Sequence, residues 1–329
     1  MLILSKEEVR QALPMSETIA AMKTAFAAFS SGKAEVPLRS RLLIPPHEAV
    51  SLVMPAYFQE QGSEALAVKI VSIYPHNAAV GLPLIHAAVL VLEANTGRPI
   101  ALLEGGELTA SRTGAASGAA TDILARKDSQ VAAIFGAGVQ GRAQLEAICT
   151  VRPVQTAWIY DPDQPQVSQF IREMTGYGPI PSDLRPANNP QQAVSGADII
   201  CCATTSQTPV FEDRHLKAGV HINAVGSYTE QMQEIPAETI QRSLLVVDSR
   251  QAVLSETGDI LKPLQSGLID EGHIYAELGE LVLGQKTGRK NANQITCFKS
   301  VGIAVQDAAA ARLALQTAKN LGIGHQVKW

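Results

Sequence analysis

Two groups of residues in this chain have types and spacings suited to chemistry. The first is Gly136-Ala137-Gly138-Val139-Gln140-Gly141. A lone glycine triplet of this spacing is weak evidence. Here it follows the apolar run Ala132–Phe135, opens a helical stretch, and precedes Asp161, which closes the next strand-like run. Those are the surroundings that dinucleotide binding requires. Gly136 allows a tight turn, Gly138 lets the backbone approach a pyrophosphate, and Gly141 lets helix and strand pack closely. Val139 and Gln140 lie at the helix N-terminus, where free N–H groups face an anion. Asp161 would accept hydrogen bonds from the adenosine ribose hydroxyls and repel a 2′-phosphate. NAD(H) is therefore the preferred cofactor, with NADP(H) left open because Arg142 partly offsets that charge.

The second group is cationic: Arg39, Arg41, Lys69 and Arg112. Lys69 interrupts the apolar run Leu66-Ala67-Val68-Lys69-Ile70-Val71. An unpaired charge is costly to bury, so this lysine must reach a partner or solvent. Taken alone, it fits a strand end at the surface as well as a site. Arg112 falls early in a helical stretch rich in Ala, Gly and Ser, close to the dinucleotide segment. Cations beside a nicotinamide would suit a small carboxylate substrate, because a guanidinium offers a bidentate fork.

Other chemistries are poorly supplied. With 27 Lys+Arg against 31 Asp+Glu and no basic run, the chain lacks a face for phosphate backbones. At 5% aromatic it also lacks stacking platforms, so no nucleic-acid partner is expected. The opening Met1-Leu2-Ile3-Leu4 is too short for a signal peptide. No run approaches the ~18 apolar residues that cross a bilayer, so a cytoplasmic protein without a membrane partner is expected. Cys149, Cys201, Cys202 and Cys297 form no CxxC pair, and the scattered histidines add no ligand spacing, so no metal is expected. Cys201-Cys202 reads as a pair of small core residues in a buried strand.

The elements that must position the two groups fall into two blocks, as expected for 329 residues. Ser5 followed by Glu8 marks a helix start, and residues 14–29 carry Met15, Ile19, Met22, Phe26 and Phe29 on one helical face. Short strands rich in Val, Ile and Leu follow at 38–44, 51–54, 65–73 and 87–92. Asn95-Thr96-Gly97 reads as the turn of a hairpin. A helix at 109–125 precedes a strand–turn–helix–strand alternation, with strands at 131–135, 156–160, 197–203, 221–225 and 244–248. Alternation of that kind predicts a parallel, doubly wound sheet. A strand at 295–299 and an Ala-rich helix at 303–320 close the chain. The expected fold is α/β: a doubly wound parallel Rossmann sheet at 119–298, plus an α+β substrate-binding and dimerisation domain at 1–118 completed by 299–329.

Several stretches resemble the ornithine cyclodeaminase/mu-crystallin family. They are Val53-Met54-Pro55-Ala56-Tyr57, Ala67-Val68-Lys69-Ile70-Val71, Thr96-Gly97-Arg98-Pro99 and Leu108–Ala116. The glycine turn, Ile222–Ser227 and Phe298–Asp307 follow in family order. The resemblance implies a homodimer with a nicotinamide between two domains. It implies that Lys69 and Arg112 face the substrate carboxylate and reacting centre, joined by one arginine of Arg39-Ser40-Arg41, with Arg41 preferred. It also places Thr204 near the dinucleotide, and Val225, Gly226 and Ser300 by the nicotinamide, although Thr204 and Ser300 also read as turn hydroxyls capping backbone.

Cyclodeaminases of the family carry an aspartate two residues beyond this Val-Gly, where Tyr228 stands here. Without that carboxylate, reduction of a cyclic 2-imino acid, 1-pyrroline-2-carboxylate or 1-piperideine-2-carboxylate, is expected ahead of ornithine cyclodeamination or alanine dehydrogenase-like deamination. A cofactor-retaining binding protein without turnover is the reading from another class.

Overall fold

In the computed structural model, which describes residues 1–60 and 63–328, the chain divides into two compact units. One runs from Met1 to Arg112 and resumes at Ile303; the other is Thr113–Gly302.

The first unit is a mixed sheet with helices on one face. Its strands are β1 (Leu2–Leu4), β2 (Ala34–Glu35), β3 (Ser40–Ile44), β4 (Ala49–Glu60), β5 (Ser63–Ile73), β6 (Ile85–Leu92) and β7 (Pro99–Glu104). A closing strand, His325–Gln326, lies beside β1, and the order is closing strand–β1–β7–β6–β5–β4–β2, with β3 also on β4. Ala65, Ala67, Lys69 and Val71 are all buried, so every second residue of β5 points into the core. That face packs against the C-terminal helix Ala304–Leu321, which in turn packs on α2 (Met15–Ser30). Ala304, Ala308, Ala311 and Ala314 are buried along that helix, and their small size lets it lie close to the strands. The helix α1 (Lys6–Ala12) opens with the expected reciprocal cap, Ser5 accepting from the Glu8 N–H and Glu8 from the Ser5 N–H.

The strand expected at 51–54 runs much further, from Ala49 to Glu60, straight through Pro55. On its outer edge β4 pairs with β3 only over Ala49–Val53 and with β2 only at Tyr57 and Phe58. Pro55 falls in the gap between them, where no partner requires the N–H it lacks.

The helix α3 (Gly105–Leu124) begins four residues before the expected start. Glu104 explains this, since its carboxylate accepts from the Gly106 and Glu107 N–H groups at 2.8 Å each.

The second unit is a parallel sheet of eight strands: β8 (Val131–Phe135), β9 (Thr156–Tyr160), β10 (Asp183–Pro186), β11 (Ile199–Cys202), β12 (His221–Ala224), β13 (Leu244–Val247), β14 (Ile274–Glu277) and β15 (Thr296–Lys299). Their order is β10–β9–β8–β11–β12–β15–β13–β14. Ala132 and Ile134 pack into one core, Ala133 and Phe135 into another, so both faces are covered. Cys201 and Cys202 point to opposite faces for the same reason. Strands β10 and β14 escape the sequence reading, being short runs broken by charge. Among the described residues, no helix is long and apolar enough to cross a membrane.

Candidate active site

The glycine turn sits at the C-terminal end of β8, leading into α4 (Val139–Val151). Gly136 has φ +97, and a Cβ there would lie 2.5 Å from the Ala203 carbonyl oxygen. At Gly141 a Cβ would lie 2.0 Å from the Gly136 oxygen, so helix and strand touch through it. Gly138 differs, because the nearest atom to its missing Cβ is Gln166 Nε2 at 3.9 Å. The first two glycines serve packing, whereas Gly138 leaves room beside an N-terminus that no side chain caps. Val139 is 60% exposed there, next to half-buried Gln140. A groove of about 560 Å³ opens at this point, lined by Gly136, Gly138, Asp161, Gln166, Thr204 and Val210 among others.

Asp161 directly follows β9 on the wall of that groove. Its Oδ2 accepts from the Ala137 N–H and its Oδ1 from the Asp163 N–H, both at 2.9 Å. These bonds fix the carboxylate in place and leave further lone pairs for ribose hydroxyls. Arg142 is not the offsetting charge the sequence suggested. Its guanidinium donates to the Ala137 and Gly138 carbonyls, pairs with Glu173 at 2.7 Å, and lies over the Phe170 ring. An arginine so engaged has little left for a 2′-phosphate.

The loops after β11 and β12 carry Thr204 and Val225–Gly226. Glu234 accepts from the N–H groups of Thr204, Gly226 and Ser227. Ser300, after β15, donates its hydroxyl to Asp248 at 2.7 Å, and Asp248 also takes the Val301 and Gly302 N–H groups. That hydroxyl therefore serves the turn. Tyr228 is half-buried, and burial raises its phenol above the ordinary value. No carboxylate stands in its place.

In the first unit Lys69 and Arg112 come together on a residue to which the sequence reading gave no role. Lys69 Nζ lies 2.7 Å from Asp307 Oδ2, an ion pair off the hydrogen-bond axis, and Arg112 Nε donates to Asp307 Oδ1 at 3.0 Å. Arg112 Nη1 donates to Gln306 Oε1 at 2.7 Å. Lys69 is only 2% exposed, so the surface alternative falls away. Burial lowers its ammonium to about 8; Asp307 raises it, and Arg112 and Arg39 push it down further. The carboxamide nitrogen of Gln306 is buried without a partner. Two cations on one carboxylate leave a net positive charge in the core, with a spare donor alongside, which is the chemistry that attracts an anion.

Of the two arginines offered by the sequence, Arg41 lies in β3 and Arg39 directly precedes it. Ser40 pairs with Val53 and Met54 pairs with Lys69, which sets Arg39 beside the row of Lys69, whereas Arg41 pairs with Leu52 two rows away and is exposed. Arg39 is also the one whose charge acts on Lys69. Sequence alone separates the two poorly, because residues two apart share a strand face.

Asp307, Glu234 and Asp259 carry no local signal. Asp307 lies within the family-like stretch Phe298–Asp307, and its pairing with the lone lysine of β5 was the clue available.

The family model for the ornithine cyclodeaminase/mu-crystallin family matches residues 1–321. A Delta(1)-pyrroline-2-carboxylate reductase of Bacillus cereus is 38% identical over 336 residues, covering 100% of both chains. Among solved structures, Thermococcus litoralis Delta(1)-pyrroline-2-carboxylate reductase in complex with NADH and L-proline is 45% identical. It has a TM-score of 0.94 and covers 99% of this chain and 100% of that one. An archaeal alanine dehydrogenase dimer with bound NAD is 30% identical at a TM-score of 0.91, covering 100% and 99%.

Proposed function

Because the chain belongs to the ornithine cyclodeaminase/mu-crystallin family, we propose that it reduces a cyclic 2-imino acid with NADH, converting 1-pyrroline-2-carboxylate to proline. The single observation that carries this reading is the buried cluster of Lys69, Arg112 and Asp307, in which cations outnumber carboxylates. Similarity to a reductase that binds NADH and L-proline supports the same substrate class. The six-membered 1-piperideine-2-carboxylate is the second substrate of that class.

The residues fit the cofactor. Gly138 leaves space where a Cβ would stand, the N-terminus of α4 is uncapped, and Asp161 is fixed on the groove wall. NADH, when bound, supplies the hydride that adds to the imine carbon. Gly138, Val139 and Gln140 would hold its pyrophosphate on the turn that Gly136 and Gly141 shape, Asp161 its ribose, and Thr204, Val225 and Gly226 the remainder. Asp161 favours NADH over NADPH by charge, and Arg142 is too engaged to reverse that.

Arg112 and Arg39 hold the substrate carboxylate and so fix the imine carbon. Lys69, protonated, gives a proton to the ring nitrogen as the carbon is reduced; one hydride and one proton account for the amine formed. Asp307 keeps Lys69 charged against the pull of burial.

Assays of NADH absorbance with each cyclic imine, and with pyruvate plus ammonia, test the reading. Turnover of either imine is expected. Silence on both with NADH still bound would leave the binding-protein reading, and ammonia released from ornithine would point to cyclodeamination despite Tyr228.

A homodimer is the proposed assembly. The outer face of the first unit's sheet carries Leu42, Val53 and Ile70, exposed by 64%, 38% and 50%, and Val53 pairs with Ile70 across β4 and β5. Such a patch is unusual on a monomer. A monomeric mass in solution would refute it.

A further inference from the structure

The deepest charges of the second unit lie behind the dinucleotide groove, and none lines it. Glu234 Oε1 accepts from the Thr204 N–H at 2.6 Å, while Oε2 accepts from Gly226 at 2.7 Å and Ser227 at 3.1 Å. Thr204 follows β11 and Gly226 follows β12, neighbouring strands of the sheet. One carboxylate thus bridges two loops. The loops press together there: a Cβ on Gly226 would lie 2.2 Å from the Thr204 oxygen and 2.5 Å from Glu234 Oε1.

Glu234 is itself held from behind. Asp259 Oδ1 accepts from the Glu234 N–H at 2.7 Å and the Ile235 N–H at 3.0 Å. Lys299, at the end of β15, lies 2.9 Å from Asp259 Oδ2 and donates to the Ser227 oxygen at 2.8 Å. All three side chains are fully buried. Three adjacent strand ends, β11, β12 and β15, are therefore tied to one charge network.

We propose that Glu234 is a positioning residue for the dinucleotide, setting the spacing between the loop that carries Thr204 and the loop that carries Val225–Gly226. The proposal rests on the reading of those loops as NADH-binding. A neutral side chain could satisfy the fold, but it could not bind donors at both ends. A glutamine offers one acceptor oxygen, and its amide nitrogen would face N–H groups on the other side. A carboxylate accepts from both loops at once, with charge-assisted strength. Burial and Asp259 push Glu234 above the ordinary carboxylate range, while Lys299 and the Thr204 N–H pull it down. A group held at such cost is one whose geometry matters.

Glu234→Gln is the test, read first by equilibrium NADH binding and independently of turnover. Kd for NADH is expected to rise roughly 10- to 100-fold, the range for losing a hydrogen bond to a charged group. At saturating NADH the KM for the imine stays as in the parent. Hydrogen exchange should quicken at the Thr204, Gly226 and Ser227 amides while β8 and β9 stay protected. Unchanged NADH affinity in the folded variant overturns the proposal, as does protection lost evenly across the unit, which would mark a general packing role. Should Glu234→Gln fail to fold, Glu234→Asp keeps the charge but is one methylene too short to reach both loops. Weakened NADH binding supports the proposal, and parental affinity sinks it. If the parent protein itself binds no NADH, the reading of the loops falls and carries the proposal with it, an outcome distinct from equal binding by parent and variant.

Discussion

Each unit holds a buried triad of acidic and basic side chains, and the two triads are nearly mirror images in charge. In the first, Lys69 and Arg112 share Asp307; in the second, Glu234 and Asp259 share Lys299. Their surroundings differ more than their charges. Both Glu234 oxygens and Asp259 Oδ1 take backbone N–H groups, Asp259 Oδ2 meets Lys299, and Lys299 reaches a carbonyl. In the first set Arg112 makes two side-chain bonds out of the five donors a guanidinium carries, and Gln306 keeps a buried nitrogen with no acceptor. Buried donors left over are costly until an anion arrives. A cluster anchored on backbone groups behaves as a brace, and one made between side chains with a donor to spare behaves as a receptor.

That contrast can be broken by experiment. Removing the single cation of the brace should have the largest effect. Lys299→Met leaves two carboxylates buried together, and loss of about 3–5 kcal/mol of stability is expected by chemical denaturation. An unchanged unfolding midpoint would mean that backbone donors alone hold the brace. Removing a cation from the receptor should instead spare the fold. Arg112→Ala leaves Lys69 and Asp307 as a balanced pair, so stability should change much less. The kcat/KM for the imine should fall about 100-fold, with NADH affinity intact. A variant as unstable as Lys299→Met would erase the distinction.

The smallest effect concerns Lys69, lowered to about 8. A proton donor works in its charged form, so activity is retained below that value and lost as pH rises through it. The kcat/KM should decline by about tenfold per pH unit above 8. Lys69→Arg keeps the charge but cannot surrender its proton at these pH values, so its residual activity should be low and should lack that decline; the same decline in both would assign the titration elsewhere.

What could be read from sequence follows from how local each signal is. The glycine turn and Asp161 are legible because strand, turn and helix are contiguous, and Gly136 and Gly141 answer short-range steric demands. Lys69 is legible as a charge out of place in an apolar strand. Its partner is not, because Asp307 arrives on a helix from the far end of the chain. Arg41 is the arginine the sequence reading prefers, and Arg39 gains weight only once the sheet sets it beside the row of Lys69. Glu234 looks like an ordinary loop carboxylate, and only the meeting of two strand ends gives it work. The division between units is hidden for a different reason: Arg112 and Thr113 are consecutive residues inside the unbroken helix α3, so no linker marks it.

The cysteines have a use that their inertness conceals. All four are buried, all lie between Thr113 and Gly302, and burial pushes the thiols of Cys149, Cys201 and Cys297 up to about 12. The folded protein presents no thiolate to an alkylating reagent, and the rest of the chain has no cysteine. Alkylation of the native chain therefore runs as a clock on the opening of one unit while the other keeps silent. A ligand that prefers the closed form slows that clock by mass action, so the unmodified protein carries its own stopwatch for cofactor binding.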